Sequence, residues 1–290
     1  MNIDFYPSSL FDKYLDAFLT LCFQEDIGPG DHTSMAILPE NTKAEANLLV
    51  KDNGLIAGID LAGIIFRKLD PSVQMHTFFK DGDQVNCGDI AFQVKGEARA
   101  ILTAERLVLN FMQHLSGIAT KTFQLTQLIE AYPARLLDTR KTVPGLRLLE
   151  KWAVKIGGGS NHRIGLYDMI LIKDNHIDHA GGITNAVDRA KDYLKNNKLN
   201  LKIEVELRTF NDIHEVLELQ GIDRVLLDNF SPQDLNKAVS LIDKRLITEA
   251  SGGITEKNIR EYARSNVDYI SSGFLTHTVT PLDLSLKIKI

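Results

Sequence analysis

The sequence predicts an α/β protein in two parts, a β-rich N-terminal α/β unit followed by an α/β barrel. From Lys43 to Ala98, short alternating runs are broken by Asn53-Gly54, Asp81-Gly82 and Cys87-Gly88, the texture of antiparallel strands joined by tight turns. Beyond residue 134 the rhythm becomes strand, polar tip, helix. Such βαβ units in succession lay parallel strands side by side and close toward a barrel.

Taken in order, Leu10 to Phe23 has helical apolar spacing after Pro7-Ser8-Ser9, and Gly28-Pro29-Gly30-Asp31 stops it. A short helix is expected at Asp60 to Lys68 within the β-rich part. The run 82–96, GDQVNCGDIAFQVKG, has the look of a biotinyl- or lipoyl-type hammerhead, but no lysine sits in an exposed hairpin, which favours a plain sheet. Leu102 to Glu130 reads as a long helix interrupted near Ser116-Gly117, with Arg106 set among apolar neighbours. Strands are expected at 135–138, 169–174, 201–207, 223–230, 246–253 and 267–273. Helical patterns fall between the later ones, at Ile183–Lys195, Phe210–Leu219, Gln233–Ile242 and Glu256–Arg264.

Composition narrows the class. The chain of 290 residues is 44% hydrophobic and 24% charged with a formal net charge of −5, which argues against general nucleic-acid binding. Cys22 and Cys87 stand in no metal-ligand spacing and suit a reducing compartment. With no apolar run of signal or membrane length, a cytoplasmic protein without a membrane partner is expected.

Against that acidic balance, residues 138–176 gather Arg140, Lys141, Arg147, Lys151, Lys155, Arg163 and Lys173, with His162, His176 and Gly157-Gly158-Gly159. Arginine forks and lysine point charges suit carboxylate and phosphate, so the segment looks built for a small, highly anionic ligand. Arg147, Lys151 and Lys155 read as the solvated side of a helix, and His32, His176 and His277 as structural hydrogen-bonders.

The strand tips carry the remaining chemistry. Ser251-Gly252-Gly253 and Ser272-Gly273 end the last two strands, where barrels bind phosphate through loop amides. Glu204, Glu206 and Asp228 are suited to Mg²⁺ or sugar hydroxyls, and alternation puts Glu204 and Glu206 on one face. Lys173 at a strand end is open to two readings, anion binding or a Schiff-base lysine. Residue types alone leave a barrel transferase, an aldolase and a non-catalytic binding protein all open.

The motifs in order decide among these. EDIGPGDHTS (25–34), AERLVLNFMQHLSGIAT (104–120), DTRKTVPGLR (138–147), GGGSNHRIGLYDMILIKDNHI (157–177), IEVEL (203–207), LLDNF (226–230), EASGGI (249–254) and ISSGFLTHTV (270–279) make the chain resemble the quinolinate phosphoribosyltransferases over essentially its whole length. Val143 departs, standing where many members have a second threonine.

The resemblance implies an N-terminal α/β sandwich (1–116, joined by the tail 276–290) and an open, seven-stranded barrel of the type II phosphoribosyltransferase kind (117–275). Only six of the strands can be assigned from the sequence. It implies transfer of phosphoribosyl from 5-phosphoribosyl 1-diphosphate to quinolinate with Mg²⁺, giving nicotinate mononucleotide, diphosphate and CO₂, in a homodimer. By the same resemblance Thr139, Arg140, His162, Arg163 and Lys173 hold quinolinate, with Arg106 arriving from the second subunit. Lys141, Glu206 and Asp228 serve the phosphoribosyl diphosphate, Glu206 and Asp228 also holding the metal. Ser251, Gly252, Gly253, Ser272, Gly273 and Phe274 bind the phosphate.

Overall fold

The computed structural model describes Met1 and residues 3–289. Along the chain lie helices α1 (Ser8–Asp26) and α2 (His32–Ile37), strands β1 (Lys43–Val50) and β2 (Gly54–Leu55), α3 (Ile59–Leu69), strands β3 (Gln74–Thr77), β4 (Gln84–Val85) and β5 (Ile90–Glu97), and the long α4 (Ala98–Ile129). There follow β6 (Arg135–Leu137), α5 (Arg147–Ile156), β7 (Ile170–Ile172), α6 (Asp174–Ala180), α7 (Ile183–Asn196), β8 (Ile203–Leu207) and α8 (Phe210–Leu217). The last elements are β9 (Arg224–Asp228), α9 (Pro232–Ile242), β10 (Ile247–Ser251), α10 (Ile259–Ala263), β11 (Tyr269–Ser271), α11 (Phe274–His277) and β12 (Leu284–Lys289). No helix among the described residues is long and apolar enough to cross a membrane.

Two compact units emerge: Met1–Phe123 with Pro144–Gly158 and the chain from Val279, and Gln124–Val143 with Gly159–Thr278. In the first, an antiparallel sheet runs in the order β12-β1-β5-β3. Leu48 of β1 is in register with Phe92 on one side and Leu286 on the other. Phe66 of α3 packs edge-on against Phe92, and all four are buried. The alternating burial of β1 is the half-buried pattern read in the sequence.

Two expectations are corrected in this unit. Helix α4 is unbroken through Ser116-Gly117, because the glycine answers a packing need: a Cβ at Gly117 would come within 2.3 Å of the Thr280 carbonyl oxygen. The Ser116 hydroxyl likewise bridges the backbone N–H and C=O of Ala57. Second, Lys151 does not lie on a solvated helix face, since residues 144–158 pack within the first unit. Helix α5 buries Leu148, Leu149, Trp152 and Ala153, Glu150 of α5 pairs with His114 of α4 at 2.8 Å, and Gly157 lies against the carbonyl of Ala119. Lys151 is fully buried rather than solvated, while Lys155 is exposed.

In the second unit a parallel sheet runs in the order β6-β11-β10-β9-β8-β7. The strand not assigned from the sequence is a single parallel bridge, Leu137 to Ser160, on the outer side of β6. A strand of one residue has no periodicity to detect. Ser160 and β7 are therefore the two edges, and the barrel is open between them. Register sets Glu204 beside Arg224, Glu206 beside Leu226, Leu226 beside Glu249, and Asp228 beside Ser251. Directly paired residues share a face, so these side chains point inward together.

Candidate active site

Two layers of charge fill the inner face of the second unit. The lower one is closed off from water. His162 Nε2 stands 3.1 Å from Glu204 Oε2 and 3.4 Å from Glu249 Oε2, and Arg224 donates from Nη1 to Glu249 Oε2 at 3.0 Å. His162, Glu204 and Glu249 are buried. Nδ1 of the same imidazole accepts the N–H of Arg163 at 2.7 Å, so the ring proton facing the carboxylates is on Nε2.

Burial works against a charged ring, but hydrogen bonds and charge from Glu204 and Glu249 outweigh it and raise the His162 pKa to about 9. Burial also pushes the Glu204 carboxyl up. Glu249, despite its own burial, is held below the ordinary carboxylate range by His162, Ser271 and Arg224. These groups titrate as one unit.

The upper layer lies at the strand ends. Lys173 follows β7, and its Nζ is 3.4 Å from Glu206 Oε2 on β8. The Lys173 N–H donates to His176 Nδ1, fixing the start of α6. Asp228 ends β9, where burial and then the charge of Glu206 raise its pKa against the opposing pull of Lys173 and Asn229. Nδ2 of Asn229 donates to Asp228 Oδ2 at 2.6 Å. Two carboxylates thus share one lysine, an excess of negative charge at hard oxygen donors that fits Mg²⁺.

Beside β6, Asp138 is fully buried, accepting from His162 N–H at 2.9 Å and from Asn161 Nδ2 at 2.6 Å. Arg140 and Lys141 are exposed beyond it, and Thr139 Oγ1 accepts the Lys141 N–H. Arg163 is partly buried and donates from Nη1 to the Met169 carbonyl at 3.1 Å. Its pKa is lowered by burial and then by the like charge of Arg140, as befits two cations awaiting an anion.

The phosphate-type tips differ from one another. Gly252 and Gly253 adopt φ of +102° and +61°, left-handed conformations that favour glycine. At the other tip the Ser272 hydroxyl donates to the Ile254 carbonyl, its N–H to the Leu137 carbonyl, and the Phe274 N–H to Ser272 Oγ. Most of that tip's polar groups are thereby engaged internally. Gly273 is needed for closeness: a Cβ there would approach Lys141 Cδ to 2.8 Å. The second unit brings together Thr139, Arg140, Lys141, His162, Arg163, Lys173, Glu206, Asp228 and the two tips. Arg106 is exposed on α4 in the first unit.

Known proteins carry similar sequences. The description "Quinolinate phosphoribosyl transferase, C-terminal domain" matches residues 118–287, and the corresponding N-terminal domain matches residues 31–116. The chain belongs to the quinolinate phosphoribosyltransferase family. It is 47% identical over 289 residues to quinolinate phosphoribosyltransferase [decarboxylating] 1b of Nicotiana tabacum, spanning 94% of this chain and 82% of that one. A probable nicotinate-nucleotide pyrophosphorylase [carboxylating] of Bacillus subtilis is 42% identical, over 94% and 93% of the two chains. The solved nicotinate-nucleotide pyrophosphorylase of Francisella tularensis superposes with a TM-score of 0.90 at 39% identity, covering 99% of this chain and 100% of that one.

For a quinolinate phosphoribosyltransferase, the sequence reading left out Asp138, Arg224 and Glu249. Glu249 was within reach, since it precedes Ser251 by two and alternation puts both on one face. Arg224 gave no signal, because a charged residue opening a strand reads as solvated. His162, Glu204 and Glu249 also present ligand atoms all within 4.8 Å of one another, a set that could hold a metal ion. Arg224 already supplies a cation to it.

Proposed function

We infer that a cationic cluster and a carboxylate pair divide the work of a quinolinate phosphoribosyltransferase (decarboxylating), an enzyme of NAD biosynthesis and the activity that the family match gives this chain. The observation that carries the division is the contrast between the cations Arg140 and Arg163, close enough for the charge of Arg140 to lower the proton affinity of Arg163, and the carboxylates Glu206 and Asp228 sharing Lys173. Arg140, Arg163 and Lys173, with Thr139 beside them, take the two carboxylates of quinolinate. Without a second carboxylate, nicotinate would leave a cation there unpaired, a costly mismatch that favours the diacid.

Glu206 and Asp228 take the ribose hydroxyls and would hold the Mg²⁺ that accompanies the diphosphate, which would supply positive charge to the leaving group. As the C1′–oxygen bond to diphosphate breaks, positive charge develops on the sugar, and the same two carboxylates stabilise it. Quinolinate nitrogen forms the new bond to C1′. The quaternised ring then draws in the electrons of the C2–carboxylate bond, CO₂ leaves, and C2 takes up a proton. Lys141 lies by the reacting anions, while Gly252, Gly253 and the Ser272-Gly273-Phe274 tip receive the 5-phosphate. Lys173 sits in an ion pair with Glu206 rather than in an apolar pocket, which disfavours the Schiff-base reading.

Arg106, exposed on its helix, is available to the site of a second copy, and a homodimer is our reading of the assembly. A reducing, cytoplasmic setting rests on free Cys22 and Cys87, although relatives include chloroplastic and mitochondrial proteins. Purified protein with quinolinate, phosphoribosyl diphosphate and Mg²⁺ should form nicotinate mononucleotide and CO₂ in equal amounts, and none with nicotinate as acceptor. Diphosphate release with another pyridine alone would keep the phosphate site and reject the acceptor.

A further inference from the structure

The resemblance gives His162 to the carboxylates of the acceptor, yet both nitrogens of its ring are engaged inside the protein. We propose that Glu249, backed by Arg224, is a positioning residue for the quinolinate site: it fixes the His162 ring, and through that ring the Arg163 backbone, so that Arg163 faces the same anion as Arg140. The proposal deepens the reading of the site given above and rests on it.

The connection can be followed atom by atom. The Arg224 guanidinium lies 4.6 Å from the centroid of the Tyr269 ring and donates to Glu249 Oε2 at 3.0 Å. Glu249 Oε2 is 3.4 Å from His162 Nε2. His162 Nδ1 accepts the Arg163 N–H at 2.7 Å. Asp138 grips the His162 N–H from the other side at 2.9 Å, and the Met169 carbonyl takes one Arg163 donor. Arg163 is thus fixed at its backbone and at one corner of its fork, leaving the other guanidinium donors for a ligand.

Two features separate this from an ordinary buried ion pair. Such a pair adds little stability compared with apolar residues of equal size, and this one is imperfect: Glu249 Oε1 and Glu204 Oε1 are buried without a hydrogen-bond partner. Buried polar networks left partly unsatisfied cost stability, and strain of that kind collects around sites where geometry matters. The chain of contacts also ends on a predicted ligand-binding cation and not on a helix or loop. Glu249 is singled out over Glu204 because Arg224 holds it directly, whereas the Arg224 Nε to Glu204 Oε1 distance is 3.9 Å.

The test is steady-state kinetics of Glu249→Gln, Arg224→Gln and the double variant, with thermal melting of each. Small misplacements of binding groups cost on the order of 10- to 100-fold. Quinolinate KM should rise about tenfold or more in Glu249→Gln while phosphoribosyl diphosphate KM stays within about twofold. Arg224→Gln should move the same constant, and the double variant should be no worse than Glu249→Gln alone, since Arg224 acts through Glu249. Should Glu249→Gln fail to fold, Arg224→Gln, altered at the 14% exposed end of the network, carries the test. Equal shifts in both KM values, a fall in kcat alone, or a lower Tm with unchanged KM values would overturn the proposal. Wild-type protein that does not use quinolinate would remove the reading on which it rests.

Discussion

Gly252 lies so close to Asn229 that a Cβ on it would fall 2.2 Å from the Asn229 side-chain oxygen and 2.9 Å from its backbone nitrogen. Asn229 in turn holds the Asp228 carboxylate, so the tip after β10 and the carboxylate after β9 share one close-packed contact. Gly252→Ala adds a clash to a φ of +102°, and should cost about 2 kcal/mol or more of stability. It should also raise phosphoribosyl diphosphate KM more than quinolinate KM. Melting and the two constants check both halves.

Asp228→Asn removes a negative charge whose neighbour Glu206 already raises its pKa. The excess of carboxylate that suits a divalent cation is then gone. The Mg²⁺ concentration for half-maximal rate should rise about tenfold, read from a metal titration at saturating substrates.

Arg163→Ala should cripple quinolinate binding more than sugar-phosphate binding, because Arg163 and Arg140 form one cationic pair. Equilibrium titration with each substrate separately gives the comparison. Equal loss of both affinities would reject the assignment.

Much of this chemistry was legible from residue types, because charge at a strand tip has few cheap structural explanations. The parallel sheet followed from alternating strands and helices, and α7, α8 and α9 lie where periodicity put them. The bridge at Ser160 was not legible, and neither was the place of α5, since an amphipathic helix does not announce which surface it covers. Glu249 and Arg224 hid for a different reason. Their importance lies in what they touch, and contact between residues 25 apart in sequence appears only in the fold.

Stability should also depend on pH through His162. A histidine in an unfolded chain loses its proton near pH 6.5, whereas the pKa of the folded group is about 9. The folded state therefore binds the proton more tightly. The stabilisation is fully present below about pH 6.5 and is lost as pH rises through about 9. Melting temperatures from pH 6 to 10 should fall for wild type and flatten for His162→Gln.

In the first unit, Gly117→Ala should destabilise, because the Cβ would meet the backbone oxygen of Thr280 and not a yielding side chain. A loss of about 2–3 kcal/mol is expected from overpacking, measured by denaturant unfolding with substrate kinetics as a control.

Strand β1 has β5 on one side and β12, drawn from residues 284–289, on the other. During synthesis on the ribosome, β1 emerges more than two hundred residues before its second neighbour. Until residues 284–289 follow, one side of β1 is an uncovered edge of the kind that recruits foreign strands. Expression at slow elongation rates, or with release delayed near residue 284, should therefore raise the aggregated fraction, until β12 pairs with β1 on its second side.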